Sequence, residues 1–228
     1  MKQLSSILFV FVLLIAVSSC RKERINTSSE ARLEIGRDSL RFDTVFTTAG
    51  SITKFFVIRN DNNQKINISN IQLMGGTASA FKMNVDGLQG VQFNNLELAA
   101  NDSMYVFVRV NVNPTAANQP FVIKDSVRIQ WNGNTQHKQL EAWGQNAHYI
   151  RSTIFQGNFT WTNDKPYVIL GGMIVDTNST LTIQKGTRIH LNADAPFIVD
   201  GTLIVNGTKT DSVVFRSNLL DEPYRDYP

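Results

Sequence analysis

Hydrophobic and polar residues alternate in short stretches over residues 33–144. In the clearest stretch, SMYVFVRVNV, every second residue over Met104–Val112 is apolar. The opposite face of that stretch carries Tyr105, Arg109 and Asn111. A period of two is typical of a β-strand with one buried face, and the asparagine, aspartate and glycine residues between such stretches supply turns. No segment here sustains a helical stripe, so we predict an all-β fold that begins with an antiparallel β-sandwich over residues 33–146.

Two stretches break the alternation and predict local irregularities. In FVIKDSVRIQW, Asp125 occupies a position on the apolar face, which indicates a bulge, a sheet edge or a change of sheet. In KFFVIRNDNNQKINISNIQL, the run from Phe55 to Ile58 has the character of a core strand, and the apolar parity shifts near Ser69, where we expect a second bulge. The inward residues expected in FVIKDSVRIQW are Phe121, Ile123, Val127, Ile129 and Trp131.

A different pattern repeats over residues 149–217. Apolar pairs two residues apart are separated by turns that contain glycine, asparagine or aspartate, as in the coils of a solenoid. The repeat is imperfect, because the residue 22 positions after Ile189 is Asp211 rather than an apolar residue. We predict about two coils of a solenoid within residues 147–228. The correspondences, each 22 positions apart, are Thr180 with Thr202, Leu181 with Leu203, Ile183 with Val205, and Leu191 with Val213.

The N-terminal segment has the character of a secretory signal. Lys2 precedes an unbroken apolar run from Ile7 to Val17, and small residues lead to Cys20. As a helix this run would rise about 16 Å, roughly half of the hydrocarbon core of a bilayer, so it is too short for a permanent span. Residues 1–19 are therefore predicted to be a signal peptide.

The stretch VSSC at residues 17–20 resembles the lipobox of bacterial lipoproteins. The resemblance implies that Cys20 carries a thioether-linked diacylglycerol, becomes the first residue of the mature chain and is acylated on its amine. Cys20 is the single cysteine, so an exported chain forms no disulfide with it. An ordinary signal peptide cut elsewhere, with an incidental free thiol, is the alternative. The lipidated form implies attachment to a membrane of a Gram-negative cell envelope, expected to be the outer membrane, on a face that the sequence leaves open.

Residues 20–32 are polar and show no hydrophobic periodicity, so they are expected to form the lipidated cysteine and a flexible tether. The 228-residue chain has a formal charge of +3, of which Lys2 supplies one unit. A charge this small and evenly spread gives no reason to expect a nucleic-acid partner.

The first β block is similar to the immunoglobulin-like domains of the ASPM/SPD-2/hydin type, which also occur as choice-of-anchor repeats in bacterial surface proteins. The stretches that carry the resemblance are, in order, FDTVFTTAGSITKFFVIRNDNNQKINISNI, FKMNV, LAANDSMYVFVRVNVNPTA and DSVRIQW. The resemblance implies a spacer or binding module, with no catalytic residues to carry over.

The second block resembles the entry coils of right-handed parallel β-helix proteins through LTIQKGTRIHL and GTLIVNGTKTDSVVF. Such folds need about three coils and a cap at each end. We therefore expect an incomplete β-helix, either the front of a longer protein or the product of a truncated reading frame.

Candidate catalytic groups are sparse. Catalytic β-helices cluster aspartates on one sheet, and this block carries Asp176, Asp194, Asp200 and Asp211, but aspartate is also the ordinary residue of turns. His137, His148 and His190 lack metal-ligand spacing, and His190 is expected on the outside of a strand. The sequence implies no catalytic residue, no metal and no cofactor.

Five triplets of aspartate, serine or threonine, and an aliphatic residue resemble the acceptor motif for O-glycosylation in some Gram-negative bacteria. An aspartate that enters a strand gives the same triplet, so a structural role is the alternative. The candidate acceptors are Ser39, Thr44, Ser103, Ser126 and Ser212.

Aromatic residues are concentrated in STIFQGNFTWTNDKPY, as Phe155, Phe159, Trp161 and Tyr167. They are expected to pack between the two domains, with a sugar-stacking platform as the alternative.

These observations favour a membrane-anchored, non-catalytic scaffold for display, adhesion or assembly, with surface polysaccharide or envelope proteins as possible partners. The alternative is a carbohydrate-binding or carbohydrate-degrading β-helix protein whose active coils lie beyond residue 228. A truncated, inactive product is the third hypothesis.

Overall fold

In a computed structural model, the described residues are 24–113 and 120–220. They form an all-β structure in which the only helix of the described residues is one short 3₁₀ turn at Gly76–Ala78, which confirms the predicted fold class. The strands of the first part are β1 (Ile25–Asn26), β2 (Ser39–Phe46), β3 (Lys54–Asn60), β4 (Lys65–Leu73), β5 (Phe81–Val85), β6 (Leu88–Gly90), β7 (Gln92–Leu98), β8 (Asp102–Val110), β9 (Phe121–Trp131) and β10 (Asn134–Gln145).

These ten strands form two sheets that enclose one hydrophobic core. The first sheet has the order β1-β4-β9-β10-β2, with β7 paired to β4, and the second has the order β3-β8-β5-β6. Phe42 of the first sheet and Phe81 of the second meet in the core, with ring centroids 5.9 Å apart. The first sheet is mixed, because β2 pairs parallel with β10 and β1 pairs parallel with β4. The antiparallel prediction therefore fails for these two pairs.

The alternating pattern correctly identifies the buried face of β8. Met104, Val106, Val108 and Val110 are all buried, as is Val112 beyond the strand end. The prediction for the run from Phe55 to Ile58 is wrong in part, since only its even-numbered members lie in the core and Phe55 is 53% exposed. The outward ring of Phe55 becomes part of the site described below.

Both predicted irregularities occur. The register between β4 and β9 shifts between Ile68 and Asn70, which places the bulge at Ser69. Asp125 lies beyond the end of β4, whose last residue pairs with Val127, so β9 is an edge on that side. The Asp125 carboxylate accepts hydrogen bonds from the amide of Gly75 at 3.0 Å and from the hydroxyl of Ser79, so this inward charge has partners.

The segment expected to be a flexible tether is attached to the sandwich over its described residues. Ile25 and Asn26 pair with β4, and Ala31 is buried. The indole nitrogen of Trp131 donates to the carbonyl of Ala31 at 2.8 Å. This pairing and the burial of Ala31 attach the segment to the sandwich, which corrects the tether interpretation from residue 25 onward.

The second part is a β-solenoid of about three turns, one more than predicted. Each coil has three short strands, and equivalent strands stack in parallel to form three sheets. The first coil contains β11 (His148–Ile150), β12 (Thr153–Phe155) and β13 (Asn158–Trp161); the second contains β14 (Tyr167–Ile169), β15 (Met173–Val175) and β16 (Thr180–Ile183); the third contains β17 (Arg188–Leu191), β18 (Phe197–Val199) and β19 (Thr202–Val205), and β20 (Val214–Ser217) follows.

The observed register confirms three of the four predicted correspondences and corrects the fourth. Thr180 pairs with Thr202, Leu181 with Leu203 and Ile183 with Val205, as predicted. Leu191, however, pairs with Ser217 rather than with Val213. The turn between β19 and β20 is longer than its predecessor, so Ile189 meets Phe215 and the apparent mismatch with Asp211 disappears.

Candidate functional site

The two parts meet at a junction on the outer face of the β11-β14-β17-β20 sheet. Phe46, at the end of β2, is buried and lies 4.7 Å from the His190 ring, measured between centroids. Thr47 and Tyr149 are hydrogen-bonded through their hydroxyl groups at 2.9 Å, and the Tyr149 hydroxyl also donates to the carbonyl of Thr47. The contacts involve both aromatic packing and hydrogen bonds, so the solenoid is seated on the sandwich rather than merely linked to it.

Burial at this junction changes two pKa values. The pKa of His190 lies below 6.5, mainly because burial disfavours the charged ring, and Arg188 and Arg216 add repulsion. Burial also raises the pKa of Tyr149, against the opposing effect of its hydrogen bond to Thr47. His190 points out of the solenoid as predicted, but it is buried because the sandwich covers it.

The aromatic residues of STIFQGNFTWTNDKPY do not pack between the two parts, which corrects that expectation. Trp161 and Tyr167 are buried in the solenoid core and stacked at 4.3 Å, with an angle of 10° between the ring planes. Phe155 packs against the same core, and the ring of Phe159 lies 5.0 Å from that of Phe155. Buried rings present no platform to a sugar, so the alternative use is excluded for Trp161 and Tyr167.

An exposed aromatic cluster lies instead on the outside of the second sandwich sheet. Phe55 of β3 pairs with Phe107 of β8, and Tyr105 lies two residues before Phe107 on the same face. The ring centroids lie 5.6 to 6.1 Å apart, and the rings of Tyr105 and Phe107 are inclined by only 17°. Exposures are 53% for Phe55, 44% for Tyr105 and 38% for Phe107. We call these three residues the aromatic face.

Two hollows flank the aromatic face. The first, of about 400 Å³, contains Phe107 in its wall together with Lys82, Asn84, Gln89 and Arg109. The second, of about 370 Å³, is bordered by Phe55, Glu34, Arg37, Arg59 and Lys138. Polar side chains therefore lie on both sides of the exposed rings, as they do in sites where apolar contact gives affinity and polar groups fix orientation.

The charged side chains of the second hollow differ in whether they already have partners within the chain. Arg59 is ion-paired with Glu34 and Asp61. The buried amine of Lys138 donates to the carbonyls of Ile35 and Arg37, and burial lowers the pKa of Lys138 despite the favourable charge of Asp38. The guanidinium of Arg37, by contrast, forms no hydrogen bond or ion pair with the part of the chain that the structure describes.

The four candidate aspartates of the solenoid do not form one cluster. Asp176 and Asp200 follow the paired residues Val175 and Val199, so they occupy the same corner of successive coils. Asp194 lies in the turn after β17, and Asp211 lies in the turn before β20. The pKa of Asp176 is lowered by hydrogen bonds from Gln156 and Thr177, which keeps it ionised rather than suited to general acid catalysis. Among the described residues, no group of three metal-ligating side chains is found.

A histidine–aspartate pair that the sequence does not single out lies at the start of the solenoid. His148 Nε2 lies 3.0 Å from Asp164 Oδ1, and the Thr162 hydroxyl donates to the same oxygen at 2.7 Å. The hydrogen bond from Thr162 and the proximity of His148 lower the pKa of Asp164 to about 2. The hydroxyl engages the carboxylate rather than the imidazole, so this is not the arrangement of a nucleophile and its base. Sixteen residues of sequence separate the pair, which hides it from motif searches.

The predicted glycosylation acceptors lie on both parts of the fold. The aspartates before Thr44, Ser103 and Ser126 each accept the amide hydrogen of the following residue at 2.7 Å. Ser212 is exposed in a solenoid turn, and Ser39 is half-buried at the start of β2. The aspartate of three triplets thus has a structural use, while modification of the five hydroxyls stays a prediction. Cys20 lies outside the described residues.

No protein-family model matches the chain, and no curated protein does. Solved structures share low similarity with it. A family 123 glycoside hydrolase from Clostridium perfringens is 10% identical with a TM-score of 0.37, over 54% of this chain and 26% of that one. The ASH/PapD-like domain 7 of human CEP192 is 12% identical with a TM-score of 0.32, over 56% and 92% of the two chains.

The CupB6 tip adhesin of Pseudomonas aeruginosa is 11% identical with a TM-score of 0.35, over 55% of this chain and 42% of the adhesin. The chain thus spans about a quarter of the hydrolase and less than half of the adhesin. Similarity this low assigns neither a ligand nor an activity. Among the described residues, no helix has the length and apolar character needed to cross a membrane.

Proposed function

We propose that this protein is a lipid-anchored scaffold of the Gram-negative cell envelope, which displays a sandwich domain and a solenoid as one unit for adhesion or assembly. The observation that carries the proposal is the buried junction of Phe46, Thr47, Tyr149 and His190. Because these contacts hold the solenoid against the sandwich, the two parts form one extended unit. An extended unit suits a display function. The N-terminal signal and the lipobox-like VSSC supply the anchor in this proposal.

The anchor is tested by expressing the wild type and Cys20→Ala in a Gram-negative host and separating envelope fractions. The wild type is expected in the outer-membrane fraction and to incorporate labelled palmitate. The variant is expected to lose the label and to leave the membrane fraction. Labelling and fractionation that are identical for both proteins would contradict lipidation at Cys20. Protease treatment of intact cells then identifies the face, since only a surface-exposed protein is digested.

A further inference from the structure

The aromatic face exposes three apolar rings that contact one another on the outside of the sandwich. The core of the sandwich is already filled, and the outer face of the same sheet still presents Phe55, Tyr105 and Phe107 as one contiguous cluster. Scattered apolar residues on a surface need no explanation, but a contiguous cluster of exposed rings is a candidate site of interaction. β8 supplies two of the rings and β3 the third, so the strand pairing fixes their spacing.

Unpaired cationic groups lie on both sides of the rings. Arg109 is part of the first hollow and Arg37 of the second, and neither guanidinium forms a hydrogen bond or ion pair with the described residues. Lys82 adds a further positive charge to the first hollow, where its amine donates to the carbonyl of Ser79 at 3.0 Å. The described lining of that hollow contains no carboxylate. Asp86 lies nearby in the turn between β5 and β6, outside this lining.

Neutral hydrogen-bonding groups complete the first hollow. Asn84 uses its side-chain oxygen to accept the amide hydrogen of Gly87 at 2.9 Å, which orients its amide group. Gln89 pairs with Asn84 across β5 and β6, so the two amides lie side by side on one face. A ligand with both hydroxyl and carboxylate groups satisfies amides and guanidinium together.

We propose that the aromatic face and its two hollows bind an acidic polysaccharide, a chain of pyranose rings that carry carboxylate groups. One face of a galacturonate ring is lined mainly by C–H groups, which pack against the negative face of an aromatic ring. Arg37 and Arg109 pair with the carboxylates of units on either side of the ring contact. The site lies on the sandwich, so the proposal is independent of the anchor at Cys20.

A protein partner fits these observations less well. A stable protein interface buries about 800 Å² on each side, and its centre is depleted of charge. Here the three rings, with half-buried Val57 opposite Tyr105, form a small apolar strip, and arginine and lysine side chains line the hollows beside it. A narrow apolar strip between cationic hollows matches an elongated, charged ligand.

The test uses the whole protein, purified in detergent and titrated by calorimetry with three probes. Polygalacturonate supplies carboxylated pyranose rings, dextran supplies neutral ones, and poly-L-glutamate supplies carboxylates without rings. We expect binding to polygalacturonate, at least about tenfold weaker binding to dextran, and no comparable binding to poly-L-glutamate.

Matched variants locate the site. Phe55→Ala and Phe107→Ala are each expected to weaken polygalacturonate binding about five- to tenfold, and Arg109→Gln about tenfold. The controls are Phe159→Ala, which removes a ring of similar exposure from the solenoid, and Arg188→Gln, which removes an equal charge from β17. Both controls should bind like the wild type. Because Phe55, Phe107 and Arg109 are not core residues, the thermal transition of each variant should be unchanged.

Several results would overturn the proposal. Absence of polygalacturonate binding would do so, and so would binding that survives loss of both rings. Equal affinity for poly-L-glutamate would show simple attraction of polyanions, and equal affinity for dextran would remove the role assigned to the carboxylates. A face that captures protein from the envelope but binds none of the polysaccharides would be a protein-docking site instead.

Discussion

The ring of His190 lies against the ring of Phe46, with centroids 4.7 Å apart, and this contact joins the solenoid to the sandwich. His190 Nδ1 also lies 3.0 Å from the carbonyl oxygen of Ser217, so one tautomer donates a hydrogen bond within the solenoid while its ring face contacts Phe46. A strand residue that points out of the solenoid is thereby buried. We therefore expect the junction to respond to the protonation state of this imidazole.

The stability of the protein should decrease as the pH falls below about 6.5. The pKa of folded His190 lies below its ordinary 6.5, so between these two values the unfolded chain binds a proton that the folded chain does not. The free energy of unfolding therefore rises with pH across this window. Urea denaturation at pH 7.5 and 5.5 measures the effect, and His190→Gln should lose less stability between the two pH values than the wild type. Equal losses would contradict the role of His190.

Replacing Phe46 should loosen the junction specifically. Phe46→Ala removes a nearly fully buried ring, a change that costs about 3–5 kcal/mol when a cavity remains. Hydrogen exchange should increase in β17 and β20 and remain unchanged in β8. Phe55→Ala serves as the control, because its ring is 53% exposed and contributes little to packing. Faster exchange throughout the sandwich would show that Phe46 supports the sandwich core instead of the junction.

The alternation of apolar residues was enough to predict the fold class, the buried face of β8 and the bulge at Ser69. These features depend on local periodicity, which a strand expresses directly in its sequence. The coil number was harder to predict, because the first coil contains Phe155 and Trp161 where later coils contain Val175 and Ile183. Rings of this size depart from the aliphatic residues of the later coils, so the first coil does not show the repeat.

The features that the sequence did not reveal all depend on contacts between distant strands. The alternation places Tyr105 on the outward face, but its neighbour Phe55 stands in a run of four apolar residues, which predicts a core strand. The parallel pairing of β2 with β10 joins segments about a hundred residues apart, and no local pattern encodes it. The sequence therefore predicts which face of an individual strand is buried. The aromatic face and the junction depend on tertiary contacts that it does not predict.

The hydrogen-bonded pair of His148 and Asp164 should stabilise the first coil only modestly. Asp164→Asn keeps the size of the side chain but removes the negative charge of the carboxylate. This carboxylate faces His148 and accepts a hydrogen bond from the Thr162 hydroxyl. Since the Asp164 side chain is 43% exposed, solvent screening limits the loss to about 1 kcal/mol or less.

The pH dependence of the stability difference shows whether the ionised Asp164 carboxylate is its source. The pKa of folded Asp164, about 2, lies below the ordinary 3.8, so its stabilising effect is complete above pH 3.8 and is lost as the pH falls toward 2. Thermal melts should show a difference between wild type and Asp164→Asn at pH 5 that shrinks by pH 2.5. Asp194→Asn, which alters an exposed turn aspartate, is the matched control. A difference that persists at pH 2.5 would assign the effect to the altered hydrogen bonds alone.

Close stacking of the second and third coils requires glycine at position 201. A Cβ added to Gly201 would lie 2.3 Å from the carbonyl oxygen of Asp176 and 2.4 Å from that of Ser179. The coils cannot separate to admit it without lengthening the hydrogen bonds from Gly201 to Val175 and from Thr202 to Ser179, now 3.1 and 2.9 Å. Gly201→Ala should therefore cost about 1–3 kcal/mol, the range of overpacked sites.

The adjacent Asp200→Ala provides the control for this substitution, because the Asp200 side chain is exposed and lies next to the same stacked turn. Its melting temperature should stay close to that of the wild type, whereas Gly201→Ala should melt several degrees lower, with faster hydrogen exchange in β18 and β19. Equal melting temperatures for the two variants would show that the coils can separate at this corner. The observed stacking distance would then not be set by glycine.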